Sequence, residues 1–266
     1  MNPVLLPQIG NGCIEGQGFG QNYNPSYHAG GLLGHTGIDI ACGYASPIEA
    51  LCEGYVYSLY PIDHPASDGF TAVYTLVTTP LETFEFSYGH VSEIDCTIGQ
   101  SVRTGQVIAK EGNHGTVYAG NIQITLAMQA AGDTRGHHRH YQKRPVIKTP
   151  VLSGRPLQTA QGIYRDDQGN YYQVYDYENG FDGCVDWTLP LFNRDLFVGR
   201  SGYDVLLLQR AMVREGFAKY TPTGNFGPLT FASVRQYQQA KGLPTTGYVG
   251  TLTRAILNST YHQLSA

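Results

Sequence analysis

Hydrophobic periodicity changes character along the chain, from period two near the N-terminus to a helical spacing near the C-terminus. In Gly37-Ile38-Asp39-Ile40-Ala41 apolar and polar side chains alternate, as in a half-buried strand. Gly34 and Gly37 break a helix and put a turn just upstream. Asp166-Asp167-Gln168-Gly169-Asn170 followed by Tyr171-Tyr172-Gln173-Val174-Tyr175 reads as a hairpin turn into an edge strand. Toward the end of the chain, Val205, Leu208 and Met212 fall at i, i+3 and i+7, which predicts a helix ended near Gly216. Phe231, Val234 and Tyr237 make a second stripe closed by Gly242, and Leu252, Ala255 and Ile256 start a third. Helices this short are marginal alone, so the three are expected to bury their stripes on one another. The predicted fold class is multidomain α+β. An antiparallel β domain spans residues 1–150, a tyrosine-rich connector 151–191, and a small three-helix bundle 192–266.

Composition supports this division. The 266 residues, 41% apolar, can bury two cores, and 33 glycines with 20 tyrosines suit a turn-rich β domain. No apolar stretch approaches a membrane span, and no membrane partner is expected. Residues 192–266 carry eight Lys/Arg against three Asp/Glu, net +5, while residues 1–191 carry −9 of the overall −4. A basic module on an acidic body suits salt-sensitive docking to an anionic polymer. Nucleic acid is not the expected polymer, because no basic run has interleaved aromatics. The five cysteines have no paired short spacing, and their odd number argues against a complete disulfide framework or a zinc finger. Cys42 and Cys52 can lie across adjacent strands, but free thiols in a reducing compartment are expected.

Three segments offer chemistry. His35 and Asp39, leaving the Gly34–Gly37 turn, can take two corners of a tetrahedral zinc site. Gly136-His137-His138-Arg139-His140 concentrates imidazoles and could bind metal, but is expected to be a solvated loop. Asp166–Asn170 lacks the ligand spacing of a calcium loop. Tyr164, Tyr171, Tyr172, Tyr175, Tyr177 and Trp187 offer a sugar-stacking face, although packing on a neighbouring domain accounts for them better.

Phe19-Gly20-Gln21-Asn22 followed by Gly34-His35-Thr36-Gly37-Ile38-Asp39 resembles the opening of lysostaphin-like (M23) peptidoglycan metalloendopeptidases. Ser46-Pro47-Ile48-Glu49-Ala50 and Gly54-Tyr55-Val56 are similar to that family's next two strands. Tyr88-Gly89-His90-Val91-Ser92, the turns Gly99-Gln100-Ser101-Val102 and Gly105-Gln106-Val107-Ile108, and the glycine loop Gly112-Asn113-His114-Gly115 follow in order, so the likeness covers about residues 14–130. The resemblance implies one zinc ion held by His35 and Asp39, with His90 orienting or stabilising the transition state, and substrate contacts at Asn22 and Tyr88. The family has a His-x-His spacing after its glycine loop, one His for zinc and one for catalysis. An ungapped count places Asn121-Ile122-Gln123 there. Gln123 is a weak substitute for a zinc-binding imidazole, and Asn121 has no proton to exchange near neutral pH. His114 is the candidate to swing in as a replacement ligand.

From Phe197-Val198-Gly199-Arg200-Ser201-Gly202-Tyr203-Asp204 through Gly224-Asn225-Phe226-Gly227-Pro228 to Gly247-Tyr248-Val249-Gly250, the chain resembles the helical peptidoglycan-binding domain appended to many wall hydrolases. The likeness covers about residues 192–260. It implies bacterial peptidoglycan as the partner, with Phe226 and Tyr248 beside a shallow groove for a glycan or stem peptide, although Phe226 itself is expected to be mostly buried in the core.

Met1–Pro7 has no basic n-region and too short an apolar run for a signal peptide. A wall-directed chain without an export signal is expected to be a phage product, made in a bacterial cytoplasm and reaching the wall after lysis or within a virion, where other virion proteins become partners. The sequence favours a peptidoglycan-binding protein with a degenerate, weakly active or inactive zinc site. The alternative is an active zinc endopeptidase cutting peptide cross-links.

Overall fold

The computed structural model describes residues 12–21, 27, 31–60, 70–149, 163–165, 169–175, 179, 181 and 184–261. They form two compact units, one holding most of residues 1–186 and the other mainly residues 187–265.

The first unit is an antiparallel β domain. Its main sheet runs in the order β1 (Ile14–Glu15), β2 (Ile38–Ala41), β12 (Arg139–Thr149), β6 (Thr83–Gly89), β5 (Ala72–Thr78), β4 (Gly54–Tyr60), β8 (Ser101–Val102). Three further strands, β3 (Pro47–Glu49), β9 (Val107–Glu111) and β7 (Val91–Ile94), make a second sheet. A separate hairpin joins β10 (Val117–Ala119) to β11 (Ile122–Ile124) and runs into the short helix α1 (Leu126–Ala130).

Strand β12 organises this unit. Its first residues pair with β2, its last four with β14 (Tyr171–Val174), and most of its length with β6. Strand β14 also pairs with β13 (Ile163–Arg165), so the hairpin read from the turn at residues 166–170 exists, and part of the tyrosine-rich segment is built into the sheet. The β12–β6 register sorts side chains by face, because successive residues point to opposite sides. Tyr141 faces Tyr88 and Pro145 faces Phe84 on the apolar side, where Phe86, Tyr88 and Tyr141 pack ring to ring. His140, Gln142 and Arg144 line the other side, opposite Gly89, Ser87 and Glu85. Tyr88 is fully buried, and its hydroxyl accepts a hydrogen bond from the Leu51 amide at 3.0 Å. It belongs to the core rather than to a substrate surface, which corrects the contact expected there.

Cysteine usage also departs from expectation. Cys13 and Cys42 form a disulfide that staples the segment around β1 to the end of β2, while Cys52, Cys96 and Cys184 are buried thiols outside any disulfide. The odd count concealed one bridge, because residues far apart in sequence meet where β1 pairs with β2.

The second unit is a three-helix bundle of α2 (Tyr203–Arg214), α3 (Pro228–Ala240) and α4 (Thr251–Tyr261). Val205, Leu208, Met212, Val234 and Tyr237 are buried together, as their spacing predicts, with Phe231 packed partly buried against them. The third stripe holds only at Ile256, which packs partly buried against the core, while Ala255 is exposed. Leu252 is 62% exposed, and the face turned inward is Thr253, Leu257 and Tyr261. Thr253 is acceptable inside because its hydroxyl accepts the Gln238 amide at 3.0 Å. Tyr261 directs its hydroxyl to Glu215 at 2.7 Å. Two buried glutamines repeat one device. Gln209 binds the turn at residues 223–225, and Gln238 binds the turn at 247–248. Each satisfies backbone groups that burial would otherwise leave unpaired.

Candidate metal centre

The Gly34–Asp39 turn and the start of β12 meet at one point. His140 lies directly opposite Asp39 in the β12–β2 register, where side chains of an antiparallel pair share a face. His35 approaches from the turn. Its Nε2 lies 3.0 Å from His140 Nδ1 and 3.2 Å from Asp39 Oδ1, while His140 Nδ1 lies 2.7 Å from the same carboxylate oxygen. Gly37 makes this meeting possible. A Cβ there would stand 2.3 Å from the Tyr141 carbonyl oxygen and 2.8 Å from the His140 ring.

The N-terminal segment supports the same group. Gly16 and Gln17 exchange backbone hydrogen bonds with Asp39, and Gly20 and Gln21 with His35. The Gly18 carbonyl accepts His35 Nδ1–H at 3.2 Å. That bond leaves the Nε2 lone pair of neutral His35 facing a carboxylate oxygen, an arrangement that needs a positive charge between them. A tetrahedral zinc with bonds of about 2.0–2.1 Å sets its ligand atoms roughly 3.3 Å apart, close to the spacings present. Two imidazoles and a carboxylate, with one imidazole oriented by a backbone carbonyl, are also the donor set of a catalytic zinc with an open position. The residues fit the ion.

Two further histidines border the triad. His138 Nδ1 donates to the Gly136 carbonyl at 2.9 Å, and its Nε2 lies 3.6 Å from Asp39. The His90 ring stands 4.5 Å from that of His138. His90 Nδ1 donates to the His114 carbonyl at 2.7 Å. A carbonyl oxygen only accepts, so both rings turn an unprotonated Nε2 away from these bonds when neutral. His90 occupies the corner between β6 and β7 with φ of 59°, a left-handed conformation that costs a non-glycine residue about 1 kcal/mol or more.

Burial, with the neighbouring His138 and His140, lowers the His90 pKa to about 3. Burial likewise lowers that of His140. For Asp39, burial acts to raise the pKa, but the His140, His35 and His138 rings gathered around the carboxylate outweigh it and hold it well below its usual range.

The remaining expected site residues are placed elsewhere. Asn121 and Gln123 are exposed on the β10–β11 hairpin, where Gln123 pairs with Tyr118. They are not the counterpart of the His-x-His spacing. Residues 138–140, expected in a solvated loop, instead bring His138 and His140 to Asp39. The ungapped count failed because the hairpin and α1 intervene between the glycine loop and β12. The signal available was the period-two His138-Arg139-His140 leading into Tyr141-Gln142-Lys143. Gly112 and Asn113 still meet that spacing, since the Gly112 carbonyl accepts the His138 amide and Asn113 binds the carbonyls of Asp133 and Arg135. His114 does not replace a ligand. Its ring contacts Thr71 and its carbonyl orients His90.

Asn22 lies outside the described residues. Phe226 is 2% exposed and belongs to the bundle core, buried as expected, so it offers no surface to a groove. Tyr248 is exposed, stacks on Phe197 with centroids 5.7 Å apart, and bonds Asp195 through its hydroxyl.

Residues 33–143 match the profile of peptidase family M23, and residues 201–257 match that of a putative peptidoglycan binding domain. The chain thus carries one segment similar to peptidase family M23 and, after it, a second similar to a putative peptidoglycan binding domain. Among solved structures, a mutant catalytic domain of the prophage-encoded M23 protein EnpA from Enterococcus faecalis is 25% identical, aligned over 52% of this chain and 85% of that one, with a TM-score of 0.36. The catalytic domain of the antimicrobial peptidase lysostaphin from Staphylococcus simulans is 18% identical over 50% of this chain and 80% of its own, with a TM-score of 0.34. The SleB N-terminal domain is 34% identical over 26% of this chain and 93% of its own, with a TM-score of 0.25. No curated protein matches the sequence.

Proposed function

We propose that this protein is a working zinc endopeptidase that hydrolyses peptide cross-links of peptidoglycan, held on its polymer by the helical unit. The observation that carries this reading is the convergence of His35, Asp39 and His140, each offering a ligand atom within 4.8 Å of the others. The degenerate-site reading rested on Asn121 and Gln123, and their place on an exposed hairpin removes its basis.

His35, Asp39 and His140 would hold the ion. When bound, zinc supplies Lewis-acid polarisation of the scissile carbonyl and activation of a water. The chain's own residues handle protons. His138 presents Nε2 beside Asp39, where it takes the proton from the attacking water as the C–O bond forms. It then returns that proton to the amide nitrogen as the C–N bond breaks. Neutral His90, its Nδ1–H committed to the His114 carbonyl, offers Nε2 as an acceptor that orients the water or a substrate N–H. Of the two roles expected for His90 this is the orienting one; stabilising a developing oxyanion would need a donor on that nitrogen. The Cys13–Cys42 disulfide supports action outside the cytoplasm, where such bonds persist.

The test pairs elemental analysis with release of free amino groups from purified peptidoglycan. Wild-type protein is expected to hold about one zinc per chain and to release amines. His35→Ala and His140→Ala lose both properties, while Asn121→Ala and Gln123→Ala keep both. A wild type without zinc, or a Gln123→Ala variant that loses it, overturns the proposal.

A further inference from the structure

We infer that Glu111 is a positioning residue of this centre: its buried carboxylate clamps the ends of the two strands that carry Asp39 and His140. The inference rests on the zinc reading above. Glu111, the last residue of β9, has no exposed surface. Its Oε1 accepts from Gly43 N at 3.1 Å and His137 Nδ1 at 2.6 Å. Its Oε2 accepts from Ser46 Oγ at 3.3 Å and Arg139 Nε at 2.9 Å. The Cys42 amide is shared between both oxygens, at 3.2 and 2.9 Å. Arg139 closes the ring by donating to Ser46 Oγ at 2.6 Å.

These partners fall into two groups. Cys42, Gly43 and Ser46 follow β2, so they continue directly from Asp39. His137 and Arg139 flank His138 and precede His140. Only three residue pairs join β2 to β12 at this point, a short ladder on which to hold two metal ligands in register. The loop after β2 is shaped around the carboxylate. The consecutive amides of Cys42 and Gly43 point at one anion, as in a backbone nest. Gly43 has φ of 123° and Ala45 of 62°, and Ala45 and Glu111 also bond through their backbones. A carboxylate suits this position because both its oxygens only accept. A glutamine in either orientation would turn an NH2 group against donors.

Outer groups of this kind govern metal affinity through ligand orientation, typically by about ten- to hundredfold. The test compares wild type, Glu111→Gln and Ser46→Ala by chelator competition for zinc and by visible absorption of the cobalt(II)-loaded proteins, well below their melting temperatures. Glu111→Gln is expected to raise the zinc Kd about ten- to hundredfold and to shift the cobalt bands, with sedimentation on peptidoglycan unchanged. Ser46→Ala, which keeps the charges and threatens folding least, shows the same change on a smaller scale and decides the matter if Glu111→Gln does not fold. A lower Tm with wild-type Kd and spectrum would show a merely structural role and overturn the inference alone. Wild-type protein that binds neither metal overturns the zinc reading and this role with it.

Discussion

A methyl group at position 37 has no space to occupy. Built on the backbone of Gly37, it would lie 2.3 Å from the Tyr141 carbonyl oxygen, 2.8 Å from His140 Cε1 and 2.9 Å from His140 Nε2. Carbon and carbonyl oxygen settle at roughly 3.3 Å or more, so Gly37→Ala must push β12 away from β2 by about 1 Å. The obstacle is mainly backbone, which no rotamer change relieves. His140 Nδ1 and Asp39 Oδ1, now 2.7 Å apart, would part by a similar amount, and disturbed ligand orientation in metal sites costs about ten- to hundredfold in affinity. The zinc Kd of Gly37→Ala is therefore expected to rise about ten- to hundredfold, with overpacking lowering the stability of the β unit by roughly 1–3 kcal/mol. Chelator competition measures the first and denaturant unfolding the second. Gly227→Ala, where an added Cβ meets nothing within 4 Å, is the control. A folded Gly37→Ala protein with wild-type zinc affinity would refute the close-approach reasoning.

Three further outcomes are expected. His90 is held at a pKa of about 3 chiefly by burial, whereas the unfolded chain protonates it near 6.5. Stability of metal-free protein is thus fully present above about 6.5 and falls as pH drops toward 3, with this residue contributing up to roughly 1.4 kcal/mol per pH unit; identical slopes in wild type and His90→Gln would contradict it. The Cys13–Cys42 bridge spans a sequence separation of 29, so Cys13→Ser should lower unfolding free energy by roughly 3.6 kcal/mol if chain entropy governs, as read from guanidinium titration. Phe226→Ala should cost about 3–5 kcal/mol of bundle stability, while the exposed Tyr248→Ala leaves stability within about 1 kcal/mol and weakens salt-sensitive sedimentation on peptidoglycan; equal sedimentation by Tyr248→Ala and wild type would remove Tyr248 from the binding surface.

The elements most legible in the sequence were those whose signal is local. The alternation Ile38-Asp39-Ile40 became β2, and the stripes of Val205, Leu208, Met212, Val234 and Tyr237 became buried helix faces. The third helix is legible only at Ile256, because Leu252 is apolar yet exposed and Thr253 is polar yet buried. Hydrophobicity alone could not know that Gln238 would reach the Thr253 hydroxyl. Tyr88 was mistaken for a substrate contact for a similar reason: which face of β6 it occupies depends on the register with β12.

His35 and Asp39 announce themselves from the chain alone, since four residues and two glycines confine both to one turn. Period-two alternation at Ile38–Ala41 marks a strand ahead of the helical stripes, while the antiparallel β domain around it is what the resemblance of the ordered motifs implies. The third ligand is different in kind. His140 follows Asp39 by about a hundred residues of intervening chain, including a hairpin and a short helix that a linear count cannot see past. What unites them is a cross-strand pair, and strand pairing is a property of register between distant segments rather than of spacing within one. The Cys13–Cys42 bridge, the His114 carbonyl behind His90 and the Glu111 clamp arise in the same way. Each joins groups that only the closed sheets bring within hydrogen-bonding or covalent reach.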